Sequence, residues 1–482
     1  MSLVIDLSDR AFALARNGKL LEASASVVRV AGSRHGRPGE SMLQQMQLAP
    51  TEASSEHWAQ IAAADGAAAD GATAAGARAH DVLVEAAFST AHAELRARLD
   101  RAGLHSANNV DVIVPASFTA RSLSRVLGLL SSLELRVATF RDAAVTAAAA
   151  LDLPGQLLVV ELGLHHIAVT RVSRDGEIFS RNGLRINRQL GGLQGLMQQW
   201  LQLAAAAMVL RTRFDPLHDA RTEQQLYDAL PAALAATARD ASARVGVRAP
   251  GGDEIEVRLT RDQLALPAQA FIRGTAALLH SLRPAGADAT LVLPAVLADL
   301  PGVDALLAEF AACELVTIAD GFAATALSAA LNRGTLPQRA IDPAQAQLLR
   351  RFRGPIPLDG TRVTRRRLDV KSRALSPTHL LHEGRAISIP SSRLEVGRAA
   401  SGMPRVMLPE GLAGVSRLHC SLRRELDQVI LVDHSRFGTF VNGERVAGRA
   451  VLRAGDRVRV GDPGIELEMI AVGDGNAPPQ TN

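Results

Sequence analysis

The sequence predicts two structural classes in one chain: layered α/β over residues 1–331, then an all-β sandwich over 376–474. Three observations carry this reading. Apolar runs of strand length alternate with helical stretches through the first part, the pattern of α/β layers. Residues 332–375 break that texture with eleven Lys/Arg against three Asp/Glu. From 376 onward, short strands recur between turn signals at a spacing of roughly 8–12 residues, as in a sandwich.

Length and composition set the limits. A chain of 482 residues exceeds one ordinary core and suggests roughly two to four domains. Hydrophobic residues make up 47% and aromatics 3%, and alanine is abundant, so helices are expected to pack closely on small side chains. The net charge of +4 is small for this length and argues against nucleic acid as the main partner. Cys313 and Cys420, the two cysteines, exclude a disulfide framework and a four-cysteine zinc site. The start, MSLVIDLSDR, lacks the basic and apolar run of a signal peptide, and the apolar stretch 201–210 is too short to span a bilayer. A cytoplasmic protein without stable membrane insertion is expected.

Residues 1–30 alternate with period two and predict a β-meander turning at Asn17-Gly18. Residues 51–80 are rich in Ala, Gly and Asp and low in complexity and read as a loop or frayed helical insertion, and 82–101 read as a helix. A strand at 110–116 precedes a helix that Ser117 or Thr119 can cap. Strand 135–140 and the alanine helix 142–151 follow. The buried run 156–163 leads into a hairpin turning at Asp175-Gly176. Helices are expected at 191–210 and 221–243, a strand at 254–260 and a helix to 282. Strand 290–295, a helix, strand 315–320 and helix 322–331 close the part. A meander opens each half, at the N-terminus and at 156–180, so the order of elements is duplicated. Residues 332–375 read as a basic interdomain linker and 475–482 as a disordered tail.

In the C-terminal part four ordered blocks resemble the forkhead-associated (FHA) family: EVGR at 395–398, VSRLHC at 415–420, DHSRFGTFVNG at 433–443 and LRAGDRVRVG at 452–461. The resemblance implies a β-sandwich that docks onto a phosphothreonine-containing partner, such as a serine/threonine kinase substrate. Phosphothreonine carries close to two negative charges and three strong acceptors, which suit an arginine fork, hydroxyls and backbone N–H groups on rigid loops. Arg398, Ser416 and Arg417 occupy the matching positions, and Ser435 and Arg436 line the expected peptide groove. The resemblance gives His419 a structural role between loops. Phe437 stands where the family carries asparagine, which puts the grip on the peptide backbone in question. An unphosphorylated partner, or the chain's own N-terminal half, is the competing ligand.

Residues 1–331 resemble the ATPase domain of the heat-shock-70 chaperones, an actin-like, ribonuclease-H-type duplicated fold. The resemblance rests on VIDLSDR (4–10), DVIVPASFTARSLSRV (111–126), FRDAAVTAAAALDL (140–153), LLVVELGLHHIAVTRV (157–172), LGGLQGL (190–196), TLVLPAV (290–296) and ADGFAATALSAAL (319–331). It implies an ATP–Mg site at Asp6, Glu161, Gly163, Gly191 and Gly192. Three loops depart from the pattern: 6–10 has lost its glycine and gained Asp9, 161–166 carries Leu164 and His165 in place of two glycines, followed by His166, and 293–295 has lost its glycine pair. Adjacent His165 and His166 would point to opposite faces of a strand and so do not share a metal ion. Two functions are therefore expected: a non-enzymatic signalling adaptor without cofactor, carrying a pseudo-ATPase module, or a nucleotide-switched ATPase coupled to FHA docking. The combination of parts resembles bacterial signalling proteins.

Overall fold

The structure, a computed structural model, describes residues 3–33, 35–63, 74–104, 109–237, 240–283, 289–310, 313–334, 348–354, 356, 363–367, 377–399, 404–409, 411–412, 414–425, 428–462 and 464–470. The chain forms two compact units, neither continuous in sequence. One comprises Met1–Ile272, Val292–Val303 and Val316–Arg365, and the other Arg273–Leu291, Asp304–Leu315 and Arg366–Asn482.

In the first unit, Leu3–Asp6 pairs antiparallel with Phe12–Arg16, which pairs with Lys19–Ser24. The turn between the last two uses Asn17 and Gly18, both at positive φ, the geometry that matches strand twist in a two-residue hairpin. Val110–Val114 lies parallel to Leu3–Asp6, and Val137–Asp142 lies parallel to Val110–Val114. All five residues of Val110–Val114 are buried, as expected of a strand covered on both faces. The second sheet repeats this order. Its meander is Gln156–Leu162, Ile167–Asp175 and Ile178–Asn187, and Ala289–Pro294 and Glu314–Ile318 extend it from the meander's first strand. The hairpin turns at Gly176-Glu177, one residue beyond the expected dipeptide. Helices Ala143–Leu151 and Phe322–Asn332 share one apolar core with residues of both sheets, including Val4, Ala13, Leu157 and Val172. Their alanines remove side-chain bulk where elements meet. Thr119 caps helix Ala120–Ser132, accepting from the Ser122 N–H at 3.3 Å.

Three features differ from the sequence reading. The helix expected at 221–243 ends at Thr237, and Ser242–Arg248 is a strand paired with Glu254–Thr260. Ala243, Val245 and Val247 are buried between outward Arg244, Gly246 and Arg248, a period of two that outranks the helical propensity of the preceding alanines. The basic segment 332–375 contributes sheet edges. Leu348–Leu349 pairs with Val137–Asp142, and Arg351–Arg353 pairs with Ile178–Asn187. Phe352 and Ile356 are buried in the shared core, so two apolar anchors tie this segment to the layers despite its charge. The second unit also takes in Arg273–Leu291 and Asp304–Leu315, segments read from sequence as α/β. Residues 64–73 of the low-complexity stretch and the tail 475–482 lie outside the described residues.

The second unit is built on two sheets. One carries His379–His382, Arg385–Ser388, Thr439–Val441, Glu444–Arg445, Arg457–Val460 and Ile465–Ile470, and the other Leu394–Gly397, Arg405–Met407, Cys420–Glu425, Gln428–Asp433 and Arg449–Leu452. Their apolar faces close on Leu394, Val396, Cys420, Leu422, Leu431, Val458, Leu467 and Met469. Burial raises the Cys420 thiol to about 12, so it packs as a small apolar side chain.

Candidate functional site

Three loops meet at one edge of the sandwich, joined by backbone hydrogen bonds. Arg398 follows strand Leu394–Gly397, and its N–H donates to the Ser416 carbonyl at 3.2 Å; the Ala399 N–H donates to the Arg417 carbonyl at 3.0 Å. Gly397 is required by close approach, since a Cβ there would lie 2.1 Å from the Arg417 carbonyl oxygen. The third loop, 433–438, joins through the Arg436 N–H, which donates to Ser416 Oγ at 3.1 Å.

His419 holds this junction together. The Ser416 N–H donates to its Nδ1 at 3.0 Å, which makes Nδ1 the acceptor. Nε2–H then donates to the Gly438 carbonyl at 3.0 Å. Burial lowers its pKa, so the neutral Nε2–H tautomer is the form that satisfies both partners. Asp433 braces the third loop, its Oδ1 accepting from the Ser435 N–H at 3.0 Å and the Thr439 hydroxyl at 2.7 Å. Burial opposes its charge, and those donors outweigh burial to hold its pKa below the usual range.

The five expected peptide-binding residues thus lie on loops brought to one place, in different roles. Arg417 and Arg436 are exposed, and Arg398 and Ser416 are half-buried. The Ser416 hydroxyl accepts from the backbone, and its proton has no acceptor among the described residues, leaving it able to donate. Ser435 is turned inward: its Oγ accepts from the Gly438 N–H at 2.7 Å, and its side chain stabilises the Asp433 carboxylate. Asp433 was missed in the sequence reading. Its position two residues before Ser435 and six before Thr439 is the available signal, that of a carboxylate capping its own loop.

Residues 394–461 match the FHA domain family. FHA domains bind phosphothreonine-containing partners, and the Arg398–Ser416–Arg436 junction lies inside the matched segment. The match leaves residues 1–393 uncovered, and no curated protein matches the chain. Among the described residues no helix is long and apolar enough to cross a membrane.

The residues expected to hold nucleotide are only partly assembled. Asp6, Glu161 and Gly163 line a cavity of about 100 Å³ in the first unit, together with Asp9, Arg10, His166 and Asp320; Gly191 and Gly192 are not in its wall. Ligand pockets commonly run to about 300–1,000 Å³, so this space is small for a nucleotide. Its lining side chains pair with one another. Arg10 donates through Nε to the Leu162 carbonyl at 3.0 Å and clamps Asp320 at 3.0 and 2.5 Å. Asp9 Oδ1 accepts from the Leu164 N–H at 3.0 Å, and both it and His166 crowd Gly163. The helix Gly192–Thr212 offers its first N–H groups inward: Leu193 donates to the Gly163 carbonyl at 3.0 Å and Gln194 to the Leu164 carbonyl at 2.8 Å. Those donors would otherwise suit a phosphate. Gly192, at positive φ, has three backbone atoms within 2.6 Å of where a Cβ would stand.

Near neutral pH the buried carboxyls favour their protonated forms, which are poor ligands for a metal ion. Burial raises Asp6 to about 7 and Glu161 to about 8, with neighbouring Asp142 adding to the latter. Oε1 of Glu161 is buried without a donor. His165 turns to Ser55, whose carbonyl and hydroxyl lie 3.1 and 3.0 Å from Nε2, while His166 faces Asp9.

Proposed function

We propose that the protein is a non-enzymatic signalling adaptor that reads a phosphothreonine on a protein partner through its FHA domain. The observation that carries this is the three-loop junction, where backbone hydrogen bonds join the loops of Arg398, Arg417 and Arg436 at Ser416, whose hydroxyl proton is unused among the described residues. A doubly charged phosphate matches guanidinium groups and a hydroxyl donor. A product of a serine/threonine kinase is the corresponding partner.

The first unit is an actin-like module that has kept the fold and lost nucleotide turnover, acting as an interaction scaffold. The repeated strand order in its two sheets supports the fold, and the Arg10–Asp320 clamp, the occupied helix N-terminus and the raised carboxyl pKa values support the loss.

Titration calorimetry of the full chain tests both halves. Phosphothreonine peptides are expected to bind more tightly than their unphosphorylated twins, and Arg398→Ala to reduce that preference at least tenfold. If no phosphopeptide outbinds its twin, the reader function fails. ATP–Mg is expected to give no saturable heat. Tight ATP binding abolished by Asp6→Ala would restore the nucleotide-switched reading.

A further inference from the structure

Two residues lining the cavity of the first unit each carry a buried oxygen with no hydrogen-bond partner among the described residues: Asp9 at Oδ2 and Glu161 at Oε1. Asp9 is 4% exposed, and its Oδ1 accepts from the Leu164 N–H at 3.0 Å. Glu161 Oε2 accepts from the Ala116 N–H at 3.1 Å. Asp6 lines the same space, its Oδ1 accepting from the Ser8 N–H at 3.1 Å. Buried polar atoms are nearly always paired, so two unpaired acceptors in one wall call for donors from a bound molecule.

The charge of the wall is one-sided. Arg10 is the one guanidinium among its residues, and Asp320 and the Leu162 carbonyl already hold it. Burial lowers the pKa of His166, beside Asp9, so it stays neutral near pH 7. Outside the wall, Arg181 pairs with Asp142 at 2.7 Å. Against Asp6, Asp9, Glu161 and Asp320 the wall thus sets one cation. The rest of the lining includes Ala143, Ala144, Ala147, Val159 and Ile318, which suit methylene groups rather than a hydrated ion. The space of about 100 Å³ admits a few non-hydrogen atoms.

We propose that the cavity binds a short aliphatic ammonium, its charged end at the carboxyl groups of Asp6, Asp9 and Glu161 and its carbons against the alanines. An ammonium brings three donors and no acceptor, the complement of carboxyl oxygens that lack donors. A phosphate brings acceptors and adds negative charge. Burial raises Asp6 to about 7 and Glu161 to about 8; Asp320 adds to the rise at Asp6, Asp142 and Asp6 add to that at Glu161, and Arg10 and Arg181 oppose it. A bound cation favours the ionised forms, so binding releases protons and tightens as pH rises through those values.

The test is titration calorimetry of the full chain at pH 8.5 with propylammonium chloride, and with potassium chloride, 1-propanol and sodium propionate as controls of charge and size. Propylammonium is expected to give saturable heat and the controls none. Its affinity is expected to fall about tenfold or more at pH 6, and the heat to vary with the buffer as protons are released. Asp9→Asn and Glu161→Gln are each expected to weaken binding about tenfold or more, as a charged acceptor becomes neutral. Ala143→Leu, which narrows the cavity and leaves every carboxyl in place, is expected to weaken it likewise. A cooperative melt shows that each variant folds, and the ligand series on the unaltered chain decides the matter for any that does not. Absence of propylammonium heat, equal heat from potassium or propanol, or binding that survives in both carboxyl variants overturns the inference. Tight ATP–Mg binding without propylammonium binding overturns both this inference and the loss of nucleotide, whereas absence of both overturns this inference alone.

Discussion

His419 joins two loops through two ring nitrogens, and each bond demands a defined protonation state. Protonating Nδ1 would set a donor against the Ser416 N–H. Because the folded pKa lies below the ordinary 6.5, the folded protein binds this proton less readily than the unfolded chain. The stability from this group is thus complete above about pH 6.5 and declines as pH falls through the folded value. Thermal melts between pH 7.5 and 5 are expected to show that decline, and His419→Ala to abolish the His419-dependent part of it. The same substitution leaves the part-buried Ser416 N–H without its acceptor and removes one of the two donors to the Gly438 carbonyl, which keeps the Gly461 N–H, a cost of about 1–3 kcal/mol in chemical denaturation. The EVGR and VSRLHC blocks made Arg398, Ser416 and Arg417 legible from sequence. The inward turn of Ser435 was not, because it depends on a bond to Gly438 that exists only once the loop is closed.

At the scale of elements, the edge of the first sheet is secured by a buried polar network. Glu94, on helix Ala74–Arg101, accepts from His57 Nε2 and Trp58 Nε1 on helix His57–Ala63, both at 2.7 Å, and from Arg98 at 2.9 and 2.7 Å. Arg98 continues to Glu22 on strand Lys19–Ser24 at 2.5 Å. Burial disfavours the Glu94 charge, but His57 and Arg98 outweigh it and bring the carboxyl down to about 2. With the folded pKa depressed, stability from this group is present above about 4.5 and lost as pH falls toward 2. Glu94→Ala is expected to cost about 3–5 kcal/mol, since it leaves the buried His57 and Trp58 N–H groups and the Glu94-facing side of the Arg98 guanidinium without an acceptor, and to flatten the acid limb of the stability profile. Strands and most helices were legible as periods along the chain. This network was not, because Glu22, His57 and Glu94 carry no shared spacing.

At the scale of the molecule, segments far apart in sequence combine into one unit. Arg283, just past helix Arg261–Leu282, donates to Asp456 at 2.5 Å, and both are almost fully buried. Asp456 also accepts from the Asn442 side chain at 2.9 Å and the Arg453 N–H at 2.7 Å. Asn442 and Asp456 belong to the Asn-Gly and Gly-Asp blocks of the FHA resemblance, and here they grip a residue 173 positions away from Asp456. Strand Thr439–Val441 carries the chain from Gly438, at the three-loop junction, to Asn442, a separation of about 13 Å for an extended strand. Arg283→Ala is expected to lower stability by about 3–5 kcal/mol, because Asp456 stays buried without its cation. Measured by calorimetric melting, Arg283→Ala with Asp456→Leu should cost less than the two single changes added together.

The sequence by itself determined the α/β-then-all-β order and the FHA segment, because each is written in local periodicity or contiguous blocks. Only the tertiary structure decided that the basic segment supplies sheet edges and buries Phe352 and Ile356, that Arg10 pairs with Asp320 while the Gly163 and Leu164 carbonyls take up the first N–H groups of helix Gly192–Thr212, and that Arg283 completes the second unit. These outcomes depend on which buried polar group finds a partner in space, and a one-dimensional pattern does not encode that pairing.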